Sequence, residues 1–528
     1  MKKKTIVSLL VGAAMLAVTP ACTNLDETVY DQLPADSFGA TTTQVNALVG
    51  SVYKTLRTYF PGSCFYLAEN SGSGTVTPTR KGGDWYDGGQ FRELFMHTWT
   101  ANTSAVKNAW GDCSTAIGTC NSTISVLQNA TVLSDSEKAQ KLAEVRGVRA
   151  FWYYVMVDFW GNVPLVTDYA DKTLPTCQTR QTVYDWLITE VTAIADQCPD
   201  ASSANYGKFT KGSAYTLLAK LYLNAEAWGV TVNGNAYQKV IEACDKVMGM
   251  DYSLDTNWKD NFIASNQNSK EAILAECFSS SDTNNNNYFM NMTLHYKDKF
   301  SLGLSVSTWN GVCAQPDYVK LFDQSDPRFV GTYMTGQQYY KGTTTEIITD
   351  HGRPLNHTID VTMIPGTEYD GTAWGSVNQE DGARCWKWTF ADDLTNAMEN
   401  DFHIFRLADV YLMKAEALLR SGGSVAEATS LVNKIRERAY GNATHDYATV
   451  DLAKVQLERR LELAWECWSR QDDIRFGVFD KPLWTASSGL SSGVVRSSGD
   501  YLKLFPVSQL AWQSNPNLTQ NPGYASFK

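Results

Sequence analysis

The residues best placed to do chemistry in this chain are aromatic side chains set in glycine-rich sequence. Pro78-Thr-Arg-Lys-Gly-Gly-Asp-Trp-Tyr-Asp-Gly-Gly89 carries Trp85 and Tyr86, with Arg80 and Asp84 close by. Rings in such a loop have few neighbours to bury them, so they present flat apolar faces while the flanking polar groups offer hydrogen bonds. That combination suits a ligand with C–H faces and hydroxyls, as a sugar has. Trp309-Asn310 makes a second pair, and Tyr369 with Trp374 in Glu368-Tyr-Asp-Gly-Thr-Ala-Trp-Gly375 a third. The chain holds 16 Trp and 26 Tyr. Most belong to a core, so the setting rather than the number selects these candidates.

Catalytic patterns are weaker. Gly489-Leu-Ser-Ser-Gly493 fits G-x-S-x-G but lacks the strand before and helix after that a nucleophile elbow requires. Glu458, Glu462 and Glu466 recur on one helix face, whereas glycosidase carboxylates flank a cleft from opposite sides. With Arg459, Arg460 and Arg470 nearby they read as solvated or salt-bridged scaffold. No H-E-x-x-H, P-loop, EF-hand or dinucleotide motif occurs. The cysteines after Cys22 show neither C-x-x-C nor zinc spacing. Cys113 and Cys120 would lie about 10 Å apart along a helix, too far for a disulfide. The reading is a binding protein, not an enzyme, with no cofactor; the Asp282–Asn287 loop leaves the question of a calcium ion open.

The totals bound this further. A net charge of −11 argues against a nucleic-acid binder, which needs a basic stripe. Hydrophobic content of 43% with 19% charged residues describes a folded protein with a large core.

The elements that would position the aromatics are helical. Leu407, Tyr411, Ala415 and Leu418 draw one stripe of a helix that Ser421-Gly-Gly423 ends. Ser424 with Glu427 starts the next, with Ala428, Leu431, Val432, Ile435 and Ala439 on one face. Leu457, Leu461, Ala464, Trp465 and Trp468 draw a third. Further helices fall at 44–58, 103–130, from Ser134 to about 159, 181–196, 211–227 and 234–249. The run Phe151-Trp-Tyr-Tyr154 faces all sides of its helix and is therefore core. From 255 to 400 periodicity breaks, with short helices such as 316–323. The fold is mostly α, a tetratricopeptide-like helical-hairpin solenoid with a large irregular, loop-rich insertion and no clean 34-residue repeat.

Arg406-Leu-Ala-Asp-Val-Tyr-Leu-Met-Lys-Ala-Glu-Ala417, Val432-Asn-Lys-Ile-Arg-Glu-Arg-Ala439, Glu458-Arg-Arg-Leu-Glu-Leu-Ala-Trp-Glu466 and Leu504-Phe-Pro-Val507 through Tyr524 resemble the SusD/RagB family. The segments at 144–150, 158–165 and 316–328 are similar to it as well. The resemblance implies surface lipoproteins of Bacteroidetes that capture nutrients, usually glycans, for a SusC-like TonB-dependent outer-membrane transporter. It implies the same helical array. It also places Arg80–Gly89 and His97-Thr-Trp99 on the glycan-binding face. The runner-up is RagB-like peptide capture, in which the Trp85 loop would pack inward.

The N-terminus fits that resemblance. Lys2-Lys-Lys4 precedes an apolar run from Ile6 to Val18, shorter than the ~20 residues that span a bilayer. Thr19-Pro-Ala-Cys22 resembles a lipobox, with Thr19 where Leu is usual. Cys22 would then be acylated, and Asp26-Glu27 resembles the family's surface-export signal. The expected organisation is a signal peptide over 1–21, a tether over 22–40, and a helical part over 41–254 with its binding loop at 61–99. The insertion over 255–400 and a second helical part over 401–528 follow. The expected location is the outer membrane, lipid-anchored and facing the exterior.

Overall fold

Most of the long helices begin where the sequence supplies a side-chain acceptor for orphan backbone N–H groups. The computed structural model describes residues 39–77, 85–279, 287–361, 380–391, 394, 398–483 and 495–527. Thr41 and Gln44 form a capping box at α1 (Thr42–Thr55), and α2 (Gln90–Met96) is a short helix after the first long loop. Next come α3 (Ser104–Asn129) and α4 (Asp135–Trp160), the latter opened by the expected Ser134/Glu137 capping box. Thr179, Thr210 and Asn235 cap α5 (Arg180–Ala195), α6 (Lys211–Asn224) and α7 (Ala236–Met248). Phe151, Trp152, Tyr153 and Tyr154 of α4 are all buried. A phenylalanine so buried contributes about 1.5–3 kcal/mol.

Consecutive helices stack: α3 on α4, α4 on α5, α5 on α6, and α6 on α7. The next helix in the stack comes from much further along the chain. After α8 (Phe289–Thr293), α9 (Leu407–Arg420) packs directly on α7, and α10 (Val425–Tyr440) packs on α9. The chain between α7 and α9 therefore leaves the stack and returns to it. Its exit and return are joined by β2 (Ala272–Glu276) and β4 (Phe402–Arg406), antiparallel with Phe402 opposite Glu276 and Arg406 opposite Ala272. β1 (Thr75–Val76) and β3 (Cys313–Ala314) form another antiparallel pair.

The third C-terminal helix is broken, not continuous. It runs as α11 (Leu452–Leu463), opens at Ala464, and resumes as α12 (Ser469–Arg475), with Trp465 at φ 69° and Cys467 at φ 68° between. Carbonyls that a continuing helix would use are taken from outside. The Lys387 ammonium donates to the Glu462 and Ala464 carbonyls at 2.8 Å each, and Arg406 donates to that of Glu462 at 2.9 Å.

The glutamates of that helix are buried and paired, not solvated. Glu458 accepts from Arg328 and Arg436, Glu462 from Arg328, Arg406 and Arg438, and Glu466 from Lys387 and Arg406. Burial alone would raise the Glu462 carboxyl, but the guanidiniums of Arg438, Arg406 and Arg328 outweigh it and hold the group at about 2. A second buried set links Lys220 and Arg459 to Asp409, and Arg459 and Arg475 to Asp472. This second set joins α6, α9, α11 and α12 to one another, and the first joins α10 and α11 to the chain between α7 and α9. All ten described cysteines are free thiols, mostly buried. Among the described residues no helix is long and apolar enough to cross a membrane, and no group of three potential metal-ligating side chains forms.

Candidate functional site

Two stretches far apart in sequence are brought together by the short pair β1–β3. It sets Thr75 opposite Ala314 and Val76 opposite Cys313, and the Gln315 N–H donates to the Gly74 carbonyl at 3.2 Å. The first loop is thereby tied to the stretch that follows Trp309. The loop expected from residue 61 opens instead as two mostly buried helical turns, Ser63–Phe65 and Tyr66–Asn70, and Asn70 at their end donates to the Phe91 carbonyl at 2.9 Å and accepts from the Thr77 hydroxyl at 3.1 Å. Residues 309–312 are strapped along α8 by backbone bonds from Trp309 to Asn291, Asn310 to Leu294 and Gly311 to Met292.

Trp85 and Trp309 meet directly. The Trp85 indole N–H donates to the Trp309 carbonyl at 2.7 Å. Its ring lies over Gly311, where an added Cβ would come within 2.3 Å of the indole, so only glycine leaves room for this seat. Phe91 of α2 backs the ring at 5.6 Å. Trp85 is thus half-buried, with one edge fixed to the body. Tyr86 beside it is 38% exposed and Trp309 is 37% exposed.

Backbone conformation marks the same place. Trp85 has φ 57°, Asp87 φ 43° and Asn310 φ 57°. A bulky residue in the left-handed region costs about 1–3 kcal/mol, and such residues cluster at ligand-holding sites. Asn310 adopts the conformation more readily. Its side chain is wholly buried with neither amide atom partnered. That burial removes it from the surface on which the sequence had set it, and its part in the geometry is to turn the chain beside Trp309.

One residue of the site was missed from sequence. Tyr288, at the start of α8, is 37% exposed and stacks on Trp309 with ring centroids 5.8 Å apart and planes at 26°. The two rings lie face to face at a small angle, both partly open to solvent, and Tyr86 follows Trp85 on the loop that Trp85 anchors. The signal was available: Tyr288 ends the polar run Asp282–Asn287, and an aromatic beside such a loop obeys the argument used for Trp85. Arg80, Asp84, Tyr369 and Trp374 lie outside the described residues, as do Cys22 and the G-x-S-x-G run.

His97 and Trp99 are interior residues. His97 stacks on Phe479 at 4.3 Å, and burial together with the neighbouring Arg496 lowers its pKa to about 3. Trp99 is 3% exposed and donates to the Tyr524 hydroxyl at 2.7 Å. Nearer the loop, burial pushes the Glu69 carboxyl up to about 8. Neither of its oxygens has a hydrogen bond of good geometry, so the nearby Ser469 hydroxyl and Cys467 amide only temper that rise.

Comparison with known proteins bears on what this surface does. Residues 270–524 match the family model described as the SusD family, and residues 30–223 one described as starch-binding associating with outer membrane. The chain is 27% identical over 422 residues to the starch-binding protein SusD of Bacteroides thetaiotaomicron, covering 74% of each chain. In fold it is similar to a SusD-like protein of Bacteroides fragilis, with a TM-score of 0.71 at 22% identity, covering 93% of this chain and 98% of that one. A laminarin-binding SusD-like protein gives a TM-score of 0.68 at 23% identity, covering 92% and 100%.

Proposed function

The chain belongs to the SusD/RagB family, and on that premise we propose that it is a non-catalytic, lipid-anchored surface protein. In this reading it captures an oligosaccharide or polysaccharide and delivers it to a SusC-like TonB-dependent transporter of the outer membrane. The observation that carries the proposal is the exposed Tyr288–Trp309 stack, with the Trp85 indole bonded to the Trp309 carbonyl and exposed Tyr86 next to it in the chain. Neighbouring exposed rings offer sugar C–H faces an apolar surface without enclosing them, which suits a chain that must be caught and released. Hydrogen bonds to hydroxyls add little net energy, about 0.5–1.5 kcal/mol each, since they replace bonds to water. The starch and laminarin named for its relatives favour a glucan as the first ligand to try.

The non-catalytic reading has its own support. Glu458, Glu462 and Glu466, the carboxylates that could have been read as acid and base, are each tied up by buried cations. Arg80, Asp84, Tyr369 and Trp374 are proposed as further ligand contacts, and Cys22 as the acylated residue. The test is affinity electrophoresis of the protein lacking residues 1–22 against a panel of polysaccharides, with reducing-end assay of each mixture. Retardation by a glycan without release of reducing ends is the expected result. Release of reducing ends, or no retardation by any glycan, would overturn it.

A further inference from the structure

One face of α3 carries a groove that no described part of the chain fills. Between Lys107 and Asn121 it joins α13 (Gln509–Ser514) and the 164–175 stretch around a cavity of about 480 Å³, within the range of ligand pockets. Trp110, Ile117 and Met156 line it with apolar surface, and Leu510 on its rim is 55% exposed. An added Cβ on Gly118, which also lines the groove, meets nothing within 4 Å. Lys107 stands at one end.

The described chain begins beside this groove. A Cβ built on Gly39 would meet Val126 of α3 at 2.6 Å. Val126 follows Thr115 by three helical turns, so it shares the stripe that lines the groove, about 16 Å further along the axis. The stretch from Thr23 to Phe38 precedes Gly39, and fully extended it would reach about 50 Å. Its Leu25, Val29 and Leu33 recur every fourth position. They therefore share one side of the chain whether it is extended or helical. Asp26, Glu27 and Asp31 lie between them and complement Lys107.

We propose that the α3–α13 groove is the docking site of the chain's own leading stretch, Thr23–Phe38. Leu25, Val29 and Leu33 rest on Trp110, Ile117 and Met156, and an acidic residue faces Lys107. Docking replaces a free leash by a fixed lead from Cys22, which sets the bearing of the aromatic surface relative to the anchor point. Length, exit point, apolar pattern and charge all favour this occupant.

The test places the photo-crosslinker p-benzoylphenylalanine at Thr115 in the mature chain beginning at Cys22. Crosslinked peptides are then mapped by mass spectrometry. A crosslink within residues 23–38 is expected. It should be abolished both by Gly118→Leu, whose side chain enters open space, and by the triple variant Leu25→Ser, Val29→Ser, Leu33→Ser, which leaves the body untouched. Unchanged circular dichroism and Tm of both variants would show that the fold is intact. A crosslink to a second copy or to another protein, absence of any crosslink, or a crosslink to 23–38 that survives both variants would each overturn the proposal.

Discussion

The C-terminal helical frame and the aromatic surface are built on opposite principles. In the frame, Arg328, Arg406, Arg438 and Lys387 are buried and each is held by carboxylates or carbonyls from other parts of the chain. Losing any one partner strands a charge. At the surface, an indole hydrogen bond, a glycine seat and the Phe91 ring hold Trp85, and backbone bonds hold the 309–312 stretch. The frame resists change because it is over-determined. The surface can alter its rings at little cost to folding.

Glu462→Ala should separate the two most sharply. It leaves three guanidiniums short of a carboxylate and should destabilise the fold by about 3–5 kcal/mol, read by urea denaturation. The fraction still folded should bind glycan as before. Acid should attack the same frame. Glu462 is held at about 2 against an ordinary value of 4.5, and burial is likewise outweighed at Asp409, where Lys220 and Arg459 hold the carboxyl well below its usual range. Groups depressed in this way stabilise fully above their unfolded values and lose that contribution as pH falls. Thermal stability should therefore drop by a few kcal/mol between about pH 4.5 and 2, and Glu462→Ala should flatten that slope.

Gly311→Ala probes the other region. The added methyl collides with the Trp85 ring, an overpacking cost of about 1–3 kcal/mol that the loop can relieve by lifting the indole. Weaker glycan binding with a shifted tryptophan emission and a small change in Tm is the expected outcome; a large loss of Tm with binding intact would place Trp85 in the frame. Glu69→Gln should act through pH alone, with no effect in acid and its full effect only above neutrality. Its folded value, raised to about 8, makes the wild type lose stability as pH climbs from about 4.5 towards 8, so the neutral variant should gain up to about 4 kcal/mol at pH 8 and nothing at pH 4.

The same division governs what the sequence made legible. Capping at Ser134 and Glu137 and the all-round burial of Phe151–Tyr154 are local patterns, and the structure follows them. The break after Leu463 is not local: it depends on Lys387 and Arg406 reaching carbonyls from another part of the chain, which periodicity cannot register. The burial of Asn310 escaped for a like reason, since an asparagine after a loop tryptophan reads as solvent-facing until α8 is seen running beneath it. The half-burial of Trp85 was likewise out of reach, because the partner of its N–H is a carbonyl 224 residues away.

The most direct test of the capture reading is affinity electrophoresis of the double variant Tyr288→Ala, Trp309→Ala on the glycan that retards the wild type best. The expected result is loss of retardation with an unchanged Tm, because both rings are exposed and contribute little to the core. Undiminished retardation of a folded double variant would contradict the account and move the site elsewhere on the molecule.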